Sequence, residues 1–252
     1  MAGRPVTPPV RAFRRKGMHR FISARWSETG TVLEAVAADD KTLADAAHLD
    51  AATNERIHGE LNGLAGISQF ELVYGIPNAH IVRAAFLHPG PFGARFSDAT
   101  RGAWYAADSA QTSIAEVSYH RARRLAEMVV PGLPGERPDQ EVSEYDDWQA
   151  DFDSAFHTLD PPEKYREHLK PEPVPKCYAP SQALARQLLT AQSNGIVYPS
   201  VRRSGAMCLA CFRPALVHLP RPAERYEIRL IATTGSRSAI TGGYRREVRV
   251  LR

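Results

Sequence analysis

The sequence predicts an α+β fold, and three observations carry that prediction. Short apolar or alternating runs of the kind that form strands outnumber stretches with helical periodicity. The two kinds of segment do not alternate regularly, which disfavours a doubly wound parallel sheet. A chain of 252 residues, 43% hydrophobic and 24% charged, can bury a substantial core as one large domain or two small ones.

Residues 1–17 lack apolar periodicity and are expected to form a basic, loosely ordered arm. His19 to Ser23 predicts a first short strand. Residues 41–64, rich in Ala, Leu, Asn and Glu, predict one or two helices broken near Thr53. Ile81 to Leu87 is an apolar run bounded by Pro77 and Pro89, the pattern of a buried strand. Trp104 to Ala107 predicts another strand that runs straight into Asp108 and Ser109. Either residue can cap a helix over Ala110 to Glu127, because a short side-chain oxygen accepts free N–H groups of the first turn.

The composition then changes. Residues 131–180 hold 9 of the 19 prolines and 12 acids against 5 Lys plus Arg. Trp148, Ala150 and Phe152 alternate with polar neighbours there, so the segment reads as an acidic, proline-punctuated insertion carrying one half-buried strand. Residues 18–252 are therefore expected to form a single domain. Leu184, Leu188 and Leu189 give helical spacing to Ser181–Gln192. Gly195 to Ser200, Ala206 to Phe212, Leu216 to Leu219 and Tyr226 to Ala232 predict successive short strands.

The formal net charge of +4 invites a nucleic-acid reading, but its position argues otherwise. Residues 1–25 hold seven basic side chains and no acid, and the rest of the chain is net acidic. The longest apolar run, Ala206 to Phe212, is far short of the ~20 residues a membrane helix needs. No membrane association is expected. Three cysteines are too few for a disulfide framework, and the expected setting is a reducing cytoplasm.

Among motifs, there is no Walker loop, no GxGxxG after a strand and no GxSxG elbow. Cys208 and Cys211 have metal-like spacing, yet on a strand they point to opposite faces of an apolar run, so they read as core and no metal site is expected. Glu116 and His120 share one face of the predicted helix, with Thr112 a turn earlier. Such a pair is more often a surface contact than a site. Ser200 follows Pro199 where a strand leaves its sheet, a position suited either to a ligand contact or to a local backbone cap. Arg202 and Arg203 could hold a phosphate or face solvent.

Taken in order, several segments resemble the RES domain family. Gly93-Ala-Arg95-Phe96-Ser97, Trp104-Tyr105-Ala-Ala-Asp-Ser109 and Ile114-Ala-Glu116-Val-Ser-Tyr-His120 match its first half. Ser181-Gln-Ala-Leu-Ala185, Gly195-Ile-Val-Tyr-Pro-Ser200-Val-Arg202 and Cys208-Leu-Ala-Cys-Phe-Arg-Pro214 match its second. The resemblance spans roughly residues 18–220 and makes Arg95, Glu116 and Ser200 the signature residues. It implies an ADP-ribosyltransferase-like mixed sheet with flanking helices. It also implies the toxin of a bacterial toxin–antitoxin pair, with NAD+ as substrate and a helix-turn-helix, Xre-like antitoxin as partner; DNA would be met only through that antitoxin. NAD+ would be hydrolysed or phosphorolysed, or its ADP-ribose transferred to a protein.

In that chemistry Glu116 would favour an oxocarbenium-like state as the nicotinamide–ribose bond breaks. Arg95 would bind the phosphates, Phe96 and Tyr105 would offer flat faces to a ring, and Ser200 would fix the carboxamide or a ribose hydroxyl. Ser97 stands where family members often carry Asn, and Phe96 lacks a tyrosine's hydroxyl. Those departures bear on affinity and acceptor choice. A rival of another class is a nucleic-acid-binding toxin acting through the basic arm.

Overall fold

The computed structural model describes residues 7–27, 66–128, 138–233 and 243–251. The helices expected over 41–64 and the first six residues of the arm lie outside these. Strand β1 (Val10–Ser23) leads into a one-turn helix α1 (Ala24–Ser27). Then come α2 (Ala79–Leu87), β2 (Trp104–Ala107), α3 (Ala110–Glu127) and β3 (Gln140–Thr158). The second half holds α4 (Ala179–Thr190), β4 (Gly195–Pro199), β5 (Met207–Cys211), β6 (His218–Ala232) and β7 (Tyr244–Leu251). The α+β expectation is met: one mixed seven-stranded sheet in the order β1-β2-β5-β4-β3-β6-β7, flanked by helices.

An additional antiparallel pairing of β1 with β3 closes five of the strands on themselves. Among the described strands only β3 and β4 run parallel, and they meet at His157↔Ile196 and Thr158↔Val197. β3 is the hub, bonded to β1, β4 and β6. This corrects the reading of 131–180 as an insertion, because much of it is β3, a central strand whose side chains Trp148, Ala150, Phe152 and Phe156 fill the core. The expected loose arm is corrected too. From Val10 onward it is strand β1, with Arg14 and Arg11 facing Asp153 and Asp160 across the sheet or at its end. Polar, alternating strands of this kind carry little apolar signal and are held by their ladder. Gly17, at φ 62°, sits in the bulge between Arg15 and Met18 where the register with β3 shifts by one residue, and its N–H donates to Asp151 Oδ1 at 2.8 Å.

The run Ile81–Leu87 is a helix and not the expected strand. It is buried on nearly all sides, and three alanines at 79, 84 and 85 favour the helix. Leu216–Leu219 and Tyr226–Ala232 are not separate strands: a 3₁₀ turn at Pro214–Leu216 precedes one continuous β6. Cys208 and Cys211 do sit in different core clusters on opposite faces of β5, as the spacing requires. No helix among the described residues is long and apolar enough to cross a membrane.

Candidate active site

β1 and β2 touch at one pair, His19↔Ala107, and then part, β1 following β3 and β2 following β5. A cleft opens where they diverge, with α3 forming one wall. Its cavity volume is about 240 Å³, just below the roughly 300–1,000 Å³ of most small-molecule sites.

α3 starts where the sequence expects it. Ser109 is the cap, its Oγ accepting from the Thr112 N–H at 3.3 Å, while Asp108 accepts from Thr112 Oγ1 at 2.8 Å and from the Met207 N–H at 2.8 Å. These bonds tie the helix start to β5 and so fix the direction of Glu116 two turns on. Ser200 Oγ donates to Glu116 Oε1 at 2.8 Å and accepts the N–H groups of Arg202 and Arg203, each at 3.2 Å. Both readings of Ser200 thus hold in part: it caps local backbone, and its remaining proton orients the carboxylate. Ser200 stands behind Glu116 and is not among the residues lining the cleft. Burial raises the Glu116 pKa above its ordinary 4.5, opposed by the Ser200 bond and by the charges of Arg202 and Arg95.

Arg95 is buried, at 6% exposure, in a turn that needs Gly93 at φ 64°, where an added Cβ would lie 2.2 Å from Ser97 O. Its Nη1 donates to the carbonyls of His168 and Lys170 at 3.0 and 2.9 Å, and the guanidinium lies over the Tyr178 ring at 5.1 Å. Arg95, Tyr105 and Glu116 line the cleft together. Tyr105 Oη accepts from the Phe96 N–H at 2.9 Å and lies 3.0 Å from Ser97 Oγ, and burial holds the phenol far above its ordinary pKa.

Phe96 departs from expectation. Its ring is fully buried, 4.8 Å from Tyr198 in an edge-on contact within the second core cluster, and it does not line the cleft. The expected stacking face is therefore corrected to a core contact. Arg202 and Arg203 are likewise engaged by the protein. Arg202 lies over the Tyr119 ring and donates to Pro171 O at 2.7 Å, and Arg203 donates to Ser109 Oγ and Thr112 Oγ1. His120 lines the cleft with its Nε2 3.4 Å from Tyr178 Oη, and desolvation, then the charges of Arg202, Arg123 and Arg95, push its pKa down to about 4. It is neutral at neutral pH.

Two cleft residues on β1 escaped the sequence reading: Arg20 is counted with the basic N-terminal segment, and His19 is read only as the start of a strand. Arg20 lies over the Trp104 ring at 5.0 Å and donates through Nη1 to Tyr105 O at 3.3 Å, while its Nε is buried with no partner. Burial lowers its pKa to about 10, so it remains a cation. His19 bonds Asp147 through Nδ1 at 2.7 Å. The short predicted strand His19–Ser23 was the available signal. Cys208, Tyr178 and Tyr198 complete the wall opposite, and burial pushes the Cys208 thiol up, away from reactivity. Among the described residues no group of three His, Cys, Asp or Glu is arranged to hold a metal ion.

Among solved structures the chain is similar to one in the crystal structure of the M. tuberculosis MbcT-MbcA toxin-antitoxin complex, at 12% identity and TM-score 0.43, over 85% of each chain. No curated protein matches it. The RES domain model matches residues 72–231, a span that contains Arg95, Glu116 and Ser200, and the chain belongs to the RES domain family.

Proposed function

We propose that this protein cleaves the nicotinamide–ribose bond of NAD+ and acts as the toxin of a toxin–antitoxin pair, neutralised by a helix-turn-helix antitoxin. The observation that supports it most is the Ser200–Glu116 bond of 2.8 Å, which aims one partly desolvated carboxylate into a cleft that also holds the cation Arg20. A dinucleotide asks for those features together: an anion partner for its pyrophosphate and negative charge beside a sugar carbon that becomes cationic.

As the glycosidic bond breaks, positive charge grows on the ribose, and Glu116 favours that state over the ground state. Cationic nicotinamide leaves as a neutral molecule, so one carboxylate suffices and no second acid is required. Arg20 suits the phosphates, since its buried Nε has no partner within the protein. Arg95, whose Nη1 is engaged by two carbonyls, steadies the wall and contributes its charge to Glu116. Tyr105 and Tyr178 supply flat faces.

The test is release of nicotinamide from NAD+ by the purified chain. Glu116→Ala is expected to lower the rate by about 10²–10³-fold or more, with the fold retained by circular dichroism. Labelled NAD+ separates cleavage from transfer, because label held on a macromolecule marks an acceptor protein. Growth arrest on expression, relieved by a helix-turn-helix protein encoded beside it, checks the biological role. Absence of nicotinamide release with water, phosphate or protein present overturns the reading.

A further inference from the structure

His19 and Asp147 form a pair that the chemistry above does not use. Asp147 lies on β3, 2% exposed, and its Oδ2 is 2.7 Å from His19 Nδ1. A carboxylate can only accept, so Nδ1 carries the proton, and in the neutral ring Nε2 is left as a lone-pair acceptor. The His19 side chain is 20% exposed and lines the same cleft as Glu116. Its backbone is fixed on both sides, by Ala107 of β2 and Gln149 of β3, and its carbonyl accepts from Ser113 Oγ on α3 at 3.0 Å, less than one turn before Glu116. The ring therefore keeps its place relative to the carboxylate's helix.

Asp147 Oδ1 is buried with no hydrogen-bond partner among the described residues, and the carboxylate engages the cleft-facing ring of His19 through Oδ2. Resting on the NAD+-cleaving reading, we propose that His19, oriented by Asp147, is the base that deprotonates the nucleophile, and that the nucleophile is water. The ribose C1′–nitrogen bond breaks with its electron pair passing to the nicotinamide nitrogen. The water oxygen bonds C1′, its proton goes to His19 Nε2, and the imidazolium rests beside Asp147 before releasing that proton to solvent. The products are ADP-ribose, nicotinamide and one proton. A phosphate dianion arrives with lone pairs already free, so such a base has nothing to do in phosphorolysis.

The experiment uses the full chain with NAD+, with and without inorganic phosphate, and identifies the sugar product. His19→Gln and Asp147→Asn are each expected to lower kcat by about 10²–10⁴-fold with little change in KM. Azide, an anion that needs no deprotonation, is expected to restore nicotinamide release in His19→Gln and give an azido-sugar. Circular dichroism and thermal melting establish that each variant is folded, and either variant alone suffices if the other is not. Wild-type rates in a folded variant overturn the proposal. So does a loss that azide does not restore, a product that is the sugar phosphate, or label carried on protein. A wild-type chain that releases no nicotinamide with any acceptor instead overturns the NAD+ reading beneath it.

Discussion

The two walls of the cleft are built on opposite principles. On the α3 side most polar groups near Glu116 are engaged within the protein, Arg202 Nε excepted: Ser200 donates to the carboxylate and accepts two N–H groups, Arg202 lies on Tyr119 and donates to Pro171 O, and Arg203 ties the loop to the helix cap. On the β1 side, groups of similar cost are left open. Arg20 Nε and Asp147 Oδ1 are buried and unpartnered. The first wall is preorganised and pays no reorganisation when charge develops. The second holds unmet capacity that a ligand can meet. Function in this cleft is divided between them, with reaction on the finished wall and binding on the unfinished one.

Removing Arg20 breaks the comparison most severely. If the Arg20 guanidinium meets the anion, Arg20→Ala should raise KM for NAD+ by about 10–100-fold, the worth of a lost charge-assisted bond, while kcat moves much less. Arg20→Lys keeps the charge but not the planar fork and should recover only part of the affinity. Steady-state kinetics beside a thermal melt decides the matter. A lowered melting temperature with an unchanged KM would make Arg20 a structural partner of Trp104 and erase the distinction between the walls.

Much of this arrangement was legible in the chain, and the misses have physical causes. α3, its cap, β2, β4, β5 and the strand through Trp148 follow from local signals: a capping serine, apolar alternation, a proline that ends a strand. Arg95, Glu116 and Tyr105, singled out from the sequence, line one cleft. What failed depended on long-range pairing. β1 from Val10 to Gly17 has mostly exposed, charged side chains, and only its ladder to β3, which lies more than 130 residues away, makes it a strand. Counting Arg20 with the arm and Asp147 with an acidic insertion placed two neighbouring residues of the cleft region in supposed surface segments. Phe96 failed differently: flatness is a property of the residue, but which side of the turn it faces is set by packing against Tyr198.

A smaller effect sharpens the finished wall. Ser200→Ala removes the hydroxyl that stabilises ionised Glu116, so burial acts less opposed and the carboxyl pKa rises further. Glu116 serves only when ionised, so activity is lost as pH falls through that pKa. The acid limb of the pH–rate profile should therefore move toward neutral pH in the variant, and the rate at neutral pH should fall by about 3–10-fold, the effect of one hydrogen bond to a charged group. An unshifted limb with an equally reduced rate would mean that Ser200 acts on the ligand directly and not through Glu116.

The smallest effect on catalysis should come from Phe96, and it tests whether core and cleft are separable. Its ring has no exposed surface and packs with Tyr198, Leu184 and Leu188 in the cluster beneath α4. Phe96→Leu leaves part of that volume empty and should cost about 1–3 kcal/mol of folding stability, read as a lower thermal midpoint. The backbone N–H that Tyr105 Oη accepts is untouched by the change, so the Tyr105 side of the cleft stays in register. KM for NAD+ should accordingly stay within about twofold, because a shorter apolar side chain in a core usually repacks locally. A large rise in KM at unchanged stability would reverse the assignment and return Phe96 to the ligand-binding surface that the sequence alone suggested.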